Sequence, residues 1–484
     1  MDSEAGEELE SASSAKQKIS SGVDVLESHV GNIERDLYAA AAECIDAVLG
    51  RRASVKSAIF NSPFQDKRLL LALTQKTIDH LPHVKKIVHD SRLLKLEPRI
   101  TKSMAYVAAF DILFGNMKKR KGVGRLVAKH ENVLKDILKA YLKERNINSI
   151  KEIKSTKTAM TLSTPRYVRV NTLKTTTEEV CKRLQEEGFE LEEYDASISQ
   201  HTFLKTIIRK LKKTVFFRDY HVPDMLVFHP TVIFHDHPLE KEGKVILQDK
   251  ASCLASLLLN PPPGSTVIDA CAAPGMKTSH LAALMKNEGK IFAVDIQEAR
   301  CKIMKDLLKH YGVDCTEVIN DDFLHINPES EDYSKASHIL VDPTCTGSGT
   351  TSRIKQNKKK FRNTKEDRQR LQKLKGLQAT LLKHALSFPN VQRVVYSTCS
   401  INPEEDEEVV QEALKPYAAS FILRPFSRYL PKWRGCGKPK YAVGPNCLRA
   451  FTEKHKTNGF FVAVIERIKN WRRREYGSAG GGRF

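Results

Sequence analysis

Two cysteines and one aspartate in this chain stand where apolar runs stop. In "RVVYSTCS", Arg393 to Ser400, the apolar Val394, Val395 and Tyr396 read as a buried strand that ends on Cys399. In "HILVDPTCTGSG", His338 to Gly349, a second apolar run ends at Asp342, and Cys345 follows in a loop that Gly347 and Gly349 free to bend. A lone cysteine carries little weight, because free cysteines are commonly buried for packing alone. Two thiols and a carboxylate at strand ends are different, since they are the groups needed for chemistry on a cytosine ring. C5 of cytosine is a poor nucleophile until a thiolate adds at C6. An acid near N3 stabilises the adduct, and the C5 proton must then be removed so that the thiolate can leave. One cysteine can attack, the other can assist elimination, and Asp342 can hold the base.

Beyond the break at Pro261-Pro262-Pro263-Gly264, strands and helices alternate. The expected strands are "TVIDACA", "KIFAVDI", "TEVIND", "HILVDP", "RVVYSTC" and "GFFVAVIER". Alternating βαβ units predict an open, mostly parallel sheet with helices on both faces and the strand C-termini along one edge, where ligands bind. Asp269 ends the first strand, and Cys271 to Gly275 form a turn of small residues before a helix expected from Thr278. Such a turn admits a ligand to the backbone and to the helix N-terminus. The G-x-G-x-x-G fingerprint of pyrophosphate cofactors is absent, and Asp295, twenty residues after Gly275, occupies the place of a ribose-gripping acid. The pattern suits S-adenosylmethionine, with a flavodoxin-like site as the alternative.

Charge supplies the partner class. The 484 residues include 79 Lys and Arg against 58 Asp and Glu, a net charge of +21, which points to a polyanion and most simply to nucleic acid. The excess clusters in Arg353 to Lys375, Ile207 to Arg218, Met117 to Arg125 and Arg467 to Arg474. The ten cysteines form no C-x-x-C pair, which argues for a reducing compartment and no metal. No apolar run is long enough to span a membrane, and the acidic start of the chain fits neither a secretory signal nor a transit peptide.

Five regions are expected: an acidic disordered tail (1–25), a helical domain (26–155), a small α+β unit (160–240), a catalytic α/β domain (241–470) and a basic, Gly-rich tail (471–484). In the helical region three segments carry apolar residues at i, i+3 and i+4. In the α+β unit, "RYVRVNTL" alternates as a strand does, followed by the helix "TTEEVCKRLQEEG" and the strand candidate "FELEEY".

"DACAAPGMKT", "VDPTCTGSG", "YSTCS", "RVNTLK", "QDKAS" and "GFFVAVIE" together resemble the Nol/Nop/Sun family of RNA 5-methylcytosine methyltransferases, relatives of bacterial RsmB, over about residues 160 to 467. The resemblance implies a Rossmann-like methyltransferase core preceded by an α+β RNA-binding subdomain, with S-adenosylmethionine as cofactor. It makes Cys399 the nucleophile and Cys345 the cysteine that releases product. It lines the cofactor pocket with Cys271, Ala272, Ala273, Pro274, Gly275, Met276, Lys277, Asp295, Arg300, Asp322 and Asp342, the last also facing the cytosine. Where the family loop usually reads D-A-P-C-S-G-x-G, Thr344 and Thr346 stand here, and Met276 replaces the second glycine of A-A-P-G-G-K-T. Both departures resemble the eukaryotic branch acting on large-subunit ribosomal RNA. That branch implies a monomer in the nucleus and nucleolus, working on pre-ribosomal particles. The rival expectations are an RNA-binding ribosome-assembly factor with dispensable catalysis and a transfer-RNA methylase. Pro403 and the acids after Cys399 are expected to open a helix, with Glu404, Glu405 and Asp406 complementing its dipole in the first turn.

Overall fold

The computed structural model describes residues 36–50, 53, 55–115, 122–145, 164–195, 197–350 and 365–468. Both expected tails lie outside them, as do Arg353 to Thr364 and parts of the two shorter basic runs near residues 117 and 469. The chain divides into two compact units, residues 1–158 and 159–484.

The first unit is helical. Its longer helices are α1 (Leu37–Leu49), α2 (Lys67–Asp90), α3 (Lys102–Phe114) and α4 (Glu131–Glu144), the last three falling on the periodic segments. Asp36, Asp66 and Thr101 cap the first three by accepting backbone N–H groups that have no partner within the helix. The centre of this bundle is α3, buried nearly all round, and its Asp111 is made tolerable there by the Tyr38 hydroxyl, which donates to it at 2.9 Å.

The second unit holds two sheets. In the smaller, β1 (Arg166–Val170), β2 (Glu190–Leu191), β3 (Val215–Arg218), β4 (Met225–Phe228) and β5 (Val245–Ile246) lie in the order β2-β3-β4-β1-β5. Helices α5 (Thr177–Glu186) and α6 (Gln200–Lys210) cover it. The alternation expected of β1 is not a half-exposed face: Tyr167 to Val170 are all buried, because the strand is interior to its sheet and packed on both sides. "FELEEY" forms a two-residue strand only, and β5 carries this sheet to Ile246, past residue 240. The basic run at Ile207 also resolves into parts. Its Val215, Phe216 and Phe217 are core, while Arg209, Lys212 and Lys213, with Lys205 just before the run, are exposed.

The larger sheet runs β11-β13-β10-β9-β6-β7-β8, with a short extra strand, β12 (Leu448–Ala450), paired to β13. Its parallel part is β6 (Thr266–Asp269), β7 (Lys290–Val294), β8 (Thr316–Ile319), β9 (His338–Val341) and β10 (Arg393–Thr398). Apart from β8, an edge strand that is only partly buried, these strands are mostly apolar runs because helices bury both faces. One face packs against α7 (Lys250–Leu259) and α8 (Met276–Leu284), the other against α10 (Lys365–Ser387) and α11 (Glu407–Leu414). α9 (Glu298–His310) follows β7. The expectation that every strand C-terminus shares one edge is corrected at β13 (Phe460–Arg467), which runs antiparallel to β10 and so brings its first residue to that edge. β11 (Phe421–Arg424) and β12 were not expected; both are short and lie in the irregular stretch before β13.

Buried polar side chains join the two sheets. Asn171, fully buried after β1, donates at 2.8 Å to both the Gly243 and Tyr311 carbonyls. Arg169 donates to Gln248 Oε1 at 2.8 Å and to Ser279 Oγ at 2.7 Å, on α8. Asn171→Ala should leave two buried carbonyls unpaired and lower the stability of this unit by about 1–3 kcal/mol. Urea denaturation checks this, and an unchanged midpoint would show that the joint does not depend on Asn171.

Candidate active site

In the β9–β10 pair, Val341 lies opposite Tyr396. The next residue on each strand is Asp342 on one and Ser397 on the other, and the Ser397 hydroxyl donates to Asp342 Oδ1 at 2.6 Å. The second carboxylate oxygen takes the Lys277 ammonium at 2.6 Å. Lys277 comes from the first turn of α8, and its Nζ also lies 5.5 Å from the centre of the Phe460 ring, the residue that β13 delivers to this edge. Burial works against the Lys277 charge, yet Asp342, Asp269 and Cys399 together hold its pKa above the ordinary lysine range.

Cys399 follows β10, and its sulfur sits 3.1 Å from that of Cys345 in the loop after β9. Backbone pairing fixes the loop: the Gly349 amide donates to the Cys399 carbonyl at 2.9 Å, and Gly459 donates to the Gly349 carbonyl at 2.8 Å. A Cβ on Gly349 would meet the Gly459 carbonyl oxygen at 2.3 Å, so the approach requires glycine. Cys345 is held well towards its thiol form, first by its hydrogen bond with Cys399, then by burial, with Glu405 adding repulsion.

The acids after Cys399 do not play the role expected of them. Pro403–Glu405 form a separate 3-10 turn, and α11 starts only at Glu407. Glu405 and Asp406 are fully buried. Glu405 accepts hydrogen bonds from the loops of both cysteines, while Asp406 takes the Thr398 hydroxyl at 2.5 Å and pairs with the buried Arg449 at 2.7 Å. A dipole-complementing acid would stand in solvent; these hold the strand end from within.

The turn from Cys271 to Gly275 leads into α8 at Met276, two residues earlier than expected, with Gly275 at φ 96° as its N-cap. A side chain there would need the left-handed region that L-residues avoid, and its Cβ would press on Met304 at 3.0 Å. Across the turn, Asp295 is almost fully buried at the end of β7. Its carboxylate accepts the Ala273 amide at 3.2 Å and the Gln297 amide at 3.1 Å, and Arg300 lies 3.2 Å away. Arg300 also donates to the Ala273 carbonyl, so Ala273, Asp295 and Arg300 form one cluster. Asp322 stands after β8, where its carboxylate caps the Phe323–His325 turn by taking the Leu324 amide at 3.0 Å. Burial, reinforced by Asp269, Asp342 and Asp295, pushes the Cys271 thiol up.

Ser397, Phe460, Glu405 and Asp269 were not expected among the site residues. For Ser397 the signal was available, since it is two residues from Cys399 and therefore shares its face of the strand. Asp269 is fully buried; Thr278 donates to one carboxylate oxygen at 2.8 Å, and the other oxygen has no partner among the described residues. Burial pushes its carboxyl up to about 7. Among the described residues no group of three or more His, Cys, Asp or Glu could hold a metal ion, and no helix is long and apolar enough to cross a membrane.

Residues 256–466 match the family model for 16S rRNA methyltransferase RsmB/F, and residues 164–248 match the ferredoxin-like domain of NOL1/NOP2/Sun domain family member 5. The chain is 40% identical over 438 residues to a 28S rRNA (cytosine-C(5))-methyltransferase of Mus musculus, covering 90% of this chain and 91% of that one. It is 36% identical over 444 residues to a 26S rRNA (cytosine-C(5))-methyltransferase of Caenorhabditis elegans, covering 90% and 98%. The crystal structure of the protein PH0851 shares the fold, with a TM-score of 0.56 and 24% identity over 88% of this chain and 98% of that one.

An acid whose folded pKa is raised favours the folded state most at low pH, and that contribution is lost as pH rises through the folded value. The stability of the unaltered protein relative to Asp269→Asn should therefore fall by up to about 4 kcal/mol as pH rises from 4 to above 7. Parallel denaturant titrations across that range check it. A difference that stays flat would mean that Asp269 ionises freely.

Proposed function

This chain belongs to the NOL1/NOP2/Sun family of rRNA cytosine-C5 methyltransferases, and from that premise we propose that it methylates C5 of a cytosine in large-subunit ribosomal RNA. The observation that carries the reading is the pair of sulfurs 3.1 Å apart beside the Lys277–Asp342 ion pair.

S-adenosylmethionine fits the pocket. Gly275 caps the helix without a side chain, Asp295 and Arg300 flank the turn, and the Asp269 oxygen that has no partner among the described residues would be a buried acceptor for a cationic ligand. Cys271 to Lys277, Asp295, Arg300, Asp322 and Asp342 would hold the cofactor, which supplies the methyl group.

The chain's own residues do the remaining chemistry. Cys399, as the thiolate, adds to C6, and the Asp342 carboxylate, fixed by Lys277 and Ser397, accepts a hydrogen bond from protonated N3. The pair of thiols starts with one proton on Cys345. As Cys399 adds to C6, N3 takes a proton from solvent and the Cys345 proton, no longer held by the Cys399 thiolate, passes to solvent, which leaves Cys345 as a base. Once Cys399 is bonded to C6, the hydrogen bond that held the Cys345 proton is gone. Cys345 then takes the C5 proton, the C5=C6 bond re-forms, Cys399 leaves as the thiolate and N3 returns its proton to solvent, so the two sulfurs end with one proton between them as they began.

Lys205, Arg209, Lys212 and Lys213, exposed beside the small sheet, would meet the RNA backbone. Part of the long basic run has another task, since Lys375 pairs with Glu408 at 2.9 Å. A protein working on ribosomal RNA would act in the nucleus and nucleolus, on pre-ribosomal particles.

Bisulfite sequencing of large-subunit RNA from cells lacking the gene should show one cytosine losing protection; none lost would remove the assigned substrate. With purified protein, Cys399→Ala should abolish transfer while leaving cofactor affinity within a few-fold. Cys345→Ala should transfer the methyl group and stay attached to RNA as a slow band on a denaturing gel, absent in the double mutant. A band from Cys399→Ala instead would exchange the two roles.

A further inference from the structure

Glu405 is fully buried and receives five hydrogen bonds. The Thr346 amide donates to Oε1 at 2.7 Å and the Thr346 hydroxyl to Oε2 at 2.5 Å, both from the residue after Cys345. The Ser400 hydroxyl, one residue after Cys399, donates to Oε2 at 2.5 Å, and Asn402 Nδ2 to the same oxygen at 3.1 Å. Gln378 on α10 donates to Oε1 at 3.3 Å and to the Thr344 carbonyl at 3.0 Å, so it grips both the carboxylate and the residue before Cys345. All five partners are donors. A carboxylate, which only accepts, satisfies every one of them, whereas a protonated acid or an amide would face them with a donor of its own.

We propose that Glu405 is a positioning residue that clamps the Cys345 loop to the Cys399 loop and thereby sets the geometry of product release. The inference rests on the two-cysteine reading above. In release the C5 proton passes to Cys345, the C5–H electron pair becomes the second bond of C5=C6, and the S–C6 pair returns to Cys399. Attack at C6 needs Cys399 alone, which β10 holds; proton removal needs Cys345 at a fixed offset from Cys399. The Cys345 loop has no strand of its own beyond Val341; backbone bonds at Gly349 fix its far end, and the side-chain bonds at Thr344 and Thr346 fix the part that flanks Cys345. Glu405 joins the two loops on the side away from solvent, and its charge makes the neighbouring Cys345 sulfur a stronger base.

Glu405→Gln should therefore complete a first methyl transfer yet release RNA at least tenfold more slowly. It should accumulate the denaturation-resistant complex expected of Cys345→Ala, with affinity for S-adenosylhomocysteine unchanged. A general loss of structure would depress transfer, release and cofactor affinity together, without a trapped complex. If Cys345→Ala traps RNA and folded Glu405→Gln releases it at the normal rate, this inference fails while the two-cysteine reading stands. If Cys345→Ala traps nothing, the two-cysteine reading itself fails, and this inference with it. Should Glu405→Gln not fold, Thr346→Val decides the matter. It keeps the carboxylate and removes one bond of the clamp, so a smaller trapped fraction supports the role and normal release overturns it.

Discussion

Backbone hydrogen bonds between β9 and β10 hold Val341 opposite Tyr396, and the reactive groups hang from the residues that follow on each strand. In parallel pairing the two chains leave the sheet in the same direction, so Asp342 and Ser397 emerge side by side and the loops beyond them run together. A slip of one residue would turn Asp342, Ser397 and Cys399 into the helices on the far face. The apolar faces prevent that slip. Val394 and Tyr396 lie in one core, Val395 in the other, and each would exchange places.

Around this register the site is built from charges kept out of water. Lys277 and Asp342 face one another at 2.6 Å, and Asp342 uses its remaining oxygen on Ser397. Burying such a pair is favourable only when further contacts support it, and here the Ser397 hydroxyl on Asp342 and the Phe460 ring beneath Lys277 do so. Asp406, Glu407 and Arg449 repeat the arrangement below the Cys399 strand end, with Arg449 lying 2.7 Å from Asp406 and 2.6 Å from Glu407. Burial nevertheless holds the Asp406 carboxyl well above its usual range, and Asp269 goes the same way for a simpler reason. With one oxygen unpaired and no cation bonded to it among the described residues, burial dominates and its carboxyl rises to about 7. The contrast between a neutral-leaning acid at the end of β6 and an ion-paired one at the end of β9 separates the two halves of the cleft chemically.

The small sheet is joined to the core at the same end. Arg169 reaches Ser279 on α8, the helix whose first turn carries Lys277. Burial without a carboxylate partner lowers the Arg169 pKa, a cost accepted where the guanidinium ties β1 to α8 through Gln248 and Ser279. An element expected to handle RNA thus also steadies the helix that orients Asp342.

The sequence by itself determined the alternation of strands and helices in the core, the helical character of the N-terminal unit and the identity of the thiols. Apolar periodicity and strand-end position are local properties, and Cys399, Cys345, Asp342 and Asp295 each stand where such a run ends. Only the tertiary structure decided which of those ends meet. The direction of β13, which brings Phe460 to Lys277, depends on pairing across a long irregular stretch that contains no periodic signal. The clearest case is the acid run after Cys399. On local grounds Glu404, Glu405 and Asp406 look like solvent-facing residues at a helix start. Folding instead surrounds Glu405 with donors from residues 346 to 402, and whether an acid is hydrated or buried is set by neighbours that the chain brings from elsewhere.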